Sequence, residues 1–353
     1  MPDQHMVEDR VIGTPALALR QAAGAGMLRR WIGPVLAILG LLGLSALPAF
    51  MSPYQLRTYT TLLLLALMAQ GWNLIGGYTG YAAFGNVAFF GIGAYTTGLL
   101  MISPWHVPFF VALAAGALLA ALVAALVGLP VLRLRGHYFA IATLGVAEAL
   151  RQVADAWDSL TNGSTGIDLP LNPNASFFYY TALVLVALGL LISWLLLRSK
   201  IGYGWLAIRE DQDAARMLGI NTTRFKVLAF ALSAAFAALA GGVTAYQNIH
   251  VTPTDFFRID YTLQMIIACV IGGAGTLLGP LIGAAVYQLL STYLWGQFIE
   301  LHPTFLGLII IFFVVFLPRG LMQLAPRTIA VITGRRPFRW RNLFANIRAN
   351  RVQ

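Results

Sequence analysis

Long stretches without a single charge recur along almost the whole chain, and no other feature limits the fold as strongly. The segment 108–130 reads PFFVALAAGALLAALVAALVGLP. An α-helix crosses the roughly 30 Å hydrocarbon layer with about 20 apolar residues. Ten segments meet or approach that requirement: 32–50, 59–77, 82–102, 108–130, 137–153, 177–197, 227–249, 261–273, 276–295 and 303–318. The eighth and tenth are short, so tilted, broken or re-entrant paths are expected there, which lipid tolerates only where protein buries the backbone. Only 10% of residues are charged and 59% are hydrophobic, whereas soluble domains carry about 25% charged residues. The surface therefore faces lipid, and the expected fold class is an all-α polytopic membrane protein.

A net charge of +10 would suggest nucleic acid if it formed a stripe with interleaved aromatics. It does not, because the basic residues sit in the tails and in short connections. With ten crossings and a cytoplasmic N-terminus, every Lys and Arg except Arg57, Arg151 and Arg258 falls inside. Basic residues are retained on the cytoplasmic side, so both termini are expected there. The segment 154–176, with Asp155, Asp158 and Asp168 and no basic residue, falls outside. Arg20, Arg29 and Arg30 precede an apolar run that is too long for a signal peptide and lacks a cleavage site, so that run is expected to be the first membrane helix. The single cysteine, Cys269, excludes a disulfide framework.

Glycine concentrates in two places, GWNLIGGYTGYAAFGNVAFFGIGAYTTG from residue 71 and IGGAGTLLGPLIGAA from residue 271. Small residues let membrane helices approach closely and let them break. The shared Ile-Gly-Gly hints at an internal repeat.

The segment 198–226, RSKIGYGWLAIREDQDAARMLGINTTRFK, is the interior connection with substantial polar content. Gly202 and Gly204 are expected to form turns. Trp205, Leu206, Ile208, Ala215 and Leu218 make an apolar face, with Gly219 as a helix-ending residue and Asn221 or Thr222 available to start the next element. One or two short helices at the cytoplasmic surface result, either as a solvated connector or as a docking element for a cytosolic partner.

No phosphate loop accompanies Lys200 or Lys226, the five histidines lack metal-ligand spacing, and no nucleophile motif is present. The chain is expected to be a conduit and not an enzyme, with no cofactor, metal or nucleic-acid partner of its own. Ionisable groups within spans are the default functional suspects. Glu148 qualifies, although Arg151 on the same helix face offers it an ion pair. Asn73, Asn86, Thr143 and Gln264 are uncharged polar residues in apolar runs; with Glu148, Asn73, Asn86 and Thr143 are the candidates for a translocation path. The absence of an acid chain through the spans argues against a proton-coupled carrier.

The run Asp213-Ala214-Ala215-Arg216-Met217-Leu218-Gly219 resembles the EAA loop of ABC importer permeases, Glu-Ala-Ala, three residues, then Gly. Aspartate replaces the usual glutamate and the downstream Ile-x-Leu-Pro portion is missing, which points away from sugar and peptide importers. AIREDQDAARMLGINTTRFKVLAFALSAAFAALAG resembles branched-chain amino acid permeases, in particular the M-type subunit. NLIGGYTGYAAFGNVAFFGIGAY, LRLRGHYFAIATLGVAEALR and VIGGAGTLLGPLIGAA are similar to other signature stretches of that family. The likeness extends over about 58–317.

The resemblance implies half of a pore in a bacterial inner membrane, importing branched-chain amino acids. The implied partners are a homologous H-type permease, two cytosolic ATPase subunits that bind ATP, and a periplasmic binding protein. Arg209, Glu210, Asp211, Asp213, Ala214, Ala215 and Gly219 would belong to the coupling helix that seats in an ATPase groove. The expected organisation is a cytoplasmic tail over 1–30, a permease domain over 31–318 containing the coupling loop 198–226, and a basic cytoplasmic tail over 319–353. That tail is either a lipid-binding amphipathic segment or disordered. The alternatives are a permease for urea, short amides or another small polar solute, and an ATP-independent secondary transporter.

Overall fold

The computed structural model describes residues 47–297 apart from Ser103 and Trp105, together with Gly43, Ser45, Gly307 and 320–323. The expected first span over 32–50 lies largely outside these residues. Most of the span over 303–318 and of the C-terminal tail, the whole N-terminal tail and both termini also lie outside them, and with them the count of ten crossings. The chain divides into two units, 1–52 and 53–353. Within the first, the described residues include a 3-10 turn, Leu47–Ala49.

Among its described residues the second unit is helical apart from one short strand pair. Helix α1 (Pro53–Trp72) runs into a π-helical turn (Asn73–Tyr78), and α2 (Asn86–Ile102), α3 (Phe109–Val131) and α4 (His137–Ala156) follow. After the short α5 (Asp158–Thr161), strand β1 (Ile167–Asp168) precedes α6 (Ala175–Arg198). Next come α7 (Lys200–Glu210), α8 (Gln212–Met217) and α9 (Thr222–Asn248). Strand β2 (His250–Val251) pairs antiparallel with β1, and α10 (Pro253–Phe256), α11 (Ile259–Gly272) and α12 (Gly279–Gln297) come after it. Eight of the ten expected segments thus coincide with helices, within a few residues at their ends.

Among the described residues, four helices are long and apolar enough to cross a membrane: α1 with its π-turn, α3, α6 and α9. Their surroundings differ. The apolar window of α1 is 83% buried, against 28% for α3, so α1 is central and α3 peripheral. Helix α3 accordingly presents Leu118, Leu122, Leu126 and Leu129 outward. Helix α4 forms where expected but carries Glu148, Arg151 and Asp155, so it is less apolar than those four. Helix α11 has 14 residues, which at 1.5 Å per residue extends only about 21 Å, so it stops short of a full crossing. The chain then breaks at 273–278 and returns as α12.

Close backbone contact holds the centre together. A methyl group added at Gly93 of α2 would lie 2.2 Å from the Ala238 carbonyl oxygen of α9, and one added at Gly241 of α9 would lie 2.0 Å from that of Phe90. The hairpin from α11 to α12 is tighter still, with a methyl at Gly272 reaching 1.7 Å from the Gly279 oxygen.

Candidate functional site

One end of the bundle gathers the broken segments and the polar connection. In the π-turn after α1, Asn73 directs its side chain to the other break. Its Nδ2 donates to the Thr276 carbonyl at 2.8 Å, while its Oδ1 accepts from Gly275 N–H at 2.7 Å and from the Cys269 thiol at 3.3 Å. Asn73 is fully buried, so these bonds satisfy backbone groups that would otherwise be orphaned where helix geometry fails. Replacing Asn73 by leucine leaves the Gly275 N–H and Thr276 C=O unpaired, at about 1–3 kcal/mol each. We expect Asn73→Leu to lower the unfolding free energy of the detergent-solubilised protein by roughly 2–4 kcal/mol, read as a loss of thermal stability. Asn86→Leu should cost less, because Asn86 makes one described bond, to Ser233 Oγ at 2.7 Å.

Arg209, at the end of α7, lies between the same two breaks. A methyl at Gly80 would stand 3.4 Å from its Cγ, and one at Gly275 would stand 2.3 Å from its Nη1. Of the expected coupling residues, Arg209 therefore touches both breaks from the connecting element. Glu210 and Asp211 follow it, both exposed. The Asp211 Oδ1 accepts from the N–H groups of Asp213 and Ala214 and caps α8, while Ala215 is buried beneath that helix.

Helix α8 ends on Gly219 at φ +82°. Gly219 N–H bonds the Arg216 carbonyl at 2.9 Å and Ile220 N–H bonds that of Ala215 at 3.1 Å, a Schellman closure that favours glycine. Asn221 then caps α9 through Arg224 N–H. Gly202 and Gly204 do not form turns; they lie inside α7. A methyl at Gly202 would be 2.6 Å from the Leu197 backbone and one at Gly204 would be 2.3 Å from the Phe225 ring, so close packing is what selects glycine there. The expected apolar face also divides. Trp205, Ile208 and Ala215 are buried, whereas Leu206 is exposed, Leu218 is 80% exposed and Met217 is 90% exposed.

Two contacts tie this element to the helices. Arg135, just after α3, donates from both terminal nitrogens to Asp213 at 2.8 and 2.9 Å. That guanidinium holds the Asp213 carboxyl below its ordinary range. A depressed folded-state pKa means the pair contributes above the unfolded carboxylate range and is lost as pH falls through the lowered value. The second contact is Lys226, which is 1% exposed. Its Nζ donates to the Leu132 carbonyl at 2.6 Å and to Tyr81 Oη at 3.2 Å, and it lies 4.4 Å from the centre of the Tyr81 ring. Tyr81 in turn donates to Gln212 at the start of α8. The sequence marked Lys226 only as an inside charge and did not single out Arg135 or Tyr81; their shared proximity to the basic connections was the available signal.

The candidate path residues separate in space. Asn73, Asn86 and Thr143 are buried between helices. Thr143 Oγ1 accepts from Phe84 N–H at 3.0 Å. Glu148 faces outward, bonded to Arg151 at 2.6 Å and to Gln152 at 2.9 Å. Gln264 lies on α11, in contact with neither glycine break through any described bond.

Residues 54–314 match the family model described as "Branched-chain amino acid transport system / permease component". The chain is 31% identical over 310 residues to the high-affinity branched-chain amino acid transport system permease protein LivM of Salmonella typhimurium, covering 79% of this chain and 72% of that protein. Identity to LivM of Escherichia coli K12 is 32% over the same shares. The autoinducer 2 import system permease protein LsrC of Escherichia coli O157:H7 is 27% identical over 71% of this chain and 76% of its own length. No solved structure matches the chain.

Proposed function

The chain belongs to the branched-chain amino acid transport system permease family, and from that membership we propose that it forms half of the pore of an ATP-driven importer for leucine, isoleucine and valine. It is a multi-pass membrane protein and a transport subunit. Its place is the bacterial inner membrane, with both termini and the α7–α8 element on the cytoplasmic side, where its basic residues collect. A second, homologous permease completes the pore, two ATPase subunits bind ATP below it, and a periplasmic binding protein delivers the solute.

One observation carries this reading. The α7–α8 element is a folded projection whose outer tip, Met217 and Leu218, is apolar and exposed, while its inner residues Arg209, Asp213 and Gln212 engage the broken segments, Arg135 and Tyr81. An apolar tip on a rigid base suits insertion into a groove of another protein. A push on that tip reaches Gly80 and Gly275 through Arg209, and Asn73 through its bond to Gly275. Alternating access then follows from ATP-dependent movement of the ATPase pair, which shifts α7–α8 and with it the contact between the two breaks.

The experiment is uptake into proteoliposomes holding this chain, the second permease and the ATPases, with the binding protein supplying labelled leucine. Uptake should require ATP and should not respond to a proton or sodium gradient. Gradient-driven uptake by this chain alone would overturn the proposal. Labelled urea or a short amide carried in preference to leucine would overturn the choice of solute.

A further inference from the structure

The groove between α1 and α12, at the end remote from α7 and α8, is more polar than the outward faces of α3 and α6. It is an open depression of about 460 Å³, lined by Tyr54, Arg57, Thr58 and Thr61 from α1 and by Gln288, Ser291 and Thr292 from α12. Where α3 and α6 face outward they present leucine and valine, such as Leu118, Leu122, Val184 and Leu195. Beyond Gln55, by contrast, the exposed residues of α1 are Arg57 and Thr61. Arg57 and Thr58 precede the apolar run that starts at residue 59, so the mouth of the groove lies at the outer edge of the hydrocarbon, where a solute arriving from water can reach it. Arg57 is also one of the three basic residues that depart from the inside bias.

The donors and acceptors of the groove are sorted. Thr58 and Thr61 give their hydroxyl protons to their own helix, to the Tyr54 and Arg57 carbonyls at 3.2 and 3.1 Å, which turns their lone pairs outward as acceptors. The Gln288 amide donates to Thr292 at 3.4 Å, so its carbonyl oxygen is likewise an acceptor. Arg57 uses Nη2 on Asn248 at 3.0 Å and retains the other donors of a five-donor fork suited to carboxylates. One fixed cation beside several acceptors complements a carboxylate beside an ammonium.

We propose that this groove is a transit site for a zwitterionic amino acid, with Arg57 meeting the carboxylate and the Thr58, Thr61 and Gln288 oxygens meeting the ammonium. The proposal rests on the importer reading and deepens it by placing the outer half of the path. The groove is open and shares its cation with Asn248, so it holds the solute weakly, as a transit site must.

The test is made on the assembled importer in right-side-out membrane vesicles. Thr61→Cys adds an accessible thiol to this chain, whose single native cysteine, Cys269, is buried, and the importer without that substitution gives the background labelling. A membrane-impermeant anionic methanethiosulfonate should modify it on the order of tenfold faster than a cationic one, as a local field focused in a cleft dictates. Adding Arg57→Gln should abolish that preference and, tested without the cysteine, should reduce leucine uptake on the order of tenfold. Asn248→Ala, which removes only the structural partner of Arg57, should keep the preference. Absence of labelling, equal rates for the two reagents, full uptake by Arg57→Gln, or loss of the preference in Asn248→Ala each overturns the proposal. Labelling does not depend on ATP, so failure here is distinct from failure of the unsubstituted importer to take up leucine.

Discussion

Replacing Met217 and Leu218 together by glutamine is expected to reduce ATP-driven uptake at least about a hundredfold while leaving membrane insertion and thermal stability unchanged. The two side chains are 90% and 80% exposed, so their loss removes almost no packing within the chain. At a docked surface the situation inverts. Apolar residues that fill a central pocket cost about 2 kcal/mol or more each when lost, and about 4 kcal/mol corresponds to nearly a thousandfold in affinity. Glutamine keeps length and helix propensity, so any effect is attributable to the partner surface and not to the fold of α8. The measurement pairs uptake with co-purification of the ATPase subunits, and both should fall together. Normal uptake in the double variant would remove the tip from the coupling mechanism.

The second large effect is on folding. Gly93→Val and Gly241→Val should each cost more than about 3 kcal/mol, because the valine carbons would occupy space already filled by the facing backbone and overpacking costs 1–3 kcal/mol even where neighbours can shift. Here the neighbours are carbonyl groups of a helix, at 2.2 Å from Ala238 and 2.0 Å from Phe90, and they cannot rotate away as a side chain would. Helices in lipid associate through such close contact and not through expulsion of water, so separating α2 from α9 removes the main source of their attraction. The double variant should be scarcely worse than either single one, since once the helices part the second clash is relieved. Gly145→Ala is the counterpart. Nothing lies within 4 Å of the added methyl, and it should stabilise α4 by about 0.4–1 kcal/mol. Unfolding of the purified variants in detergent reads all four.

Much of this architecture is written in local pattern. The uncharged run at α3 and the glycine after α8 announce themselves because hydrocarbon thickness and the left-handed cap each demand a short-range signature. Gly202 and Gly204 show the limit of such signals. Within one segment a glycine that ends a helix and a glycine that admits a neighbouring ring look alike, and only the position of Phe225 distinguishes them. Lys226 shows the same limit for charge. Its partners Leu132 and Tyr81 are 94 and 145 residues away in sequence, so a lysine in the first turns of a helix reads as a cytoplasmic marker while in space it is a buried tie. Asn73 was legible as unusual because glycines surround it. Its role in joining two breaks was not, since Gly275 and Thr276 lie about two hundred residues later.

The proposed docking element and the proposed amino-acid groove lie at opposite ends of the bundle, so their sidedness is the property to measure. Leu218→Cys in the assembled membrane, probed with an impermeant maleimide in sealed vesicles of each orientation, measures it directly. Modification confined to inside-out vesicles, and blocked when the ATPase subunits are bound, is the predicted result. Modification of right-side-out vesicles would place the docking tip on the wrong face and contradict the account.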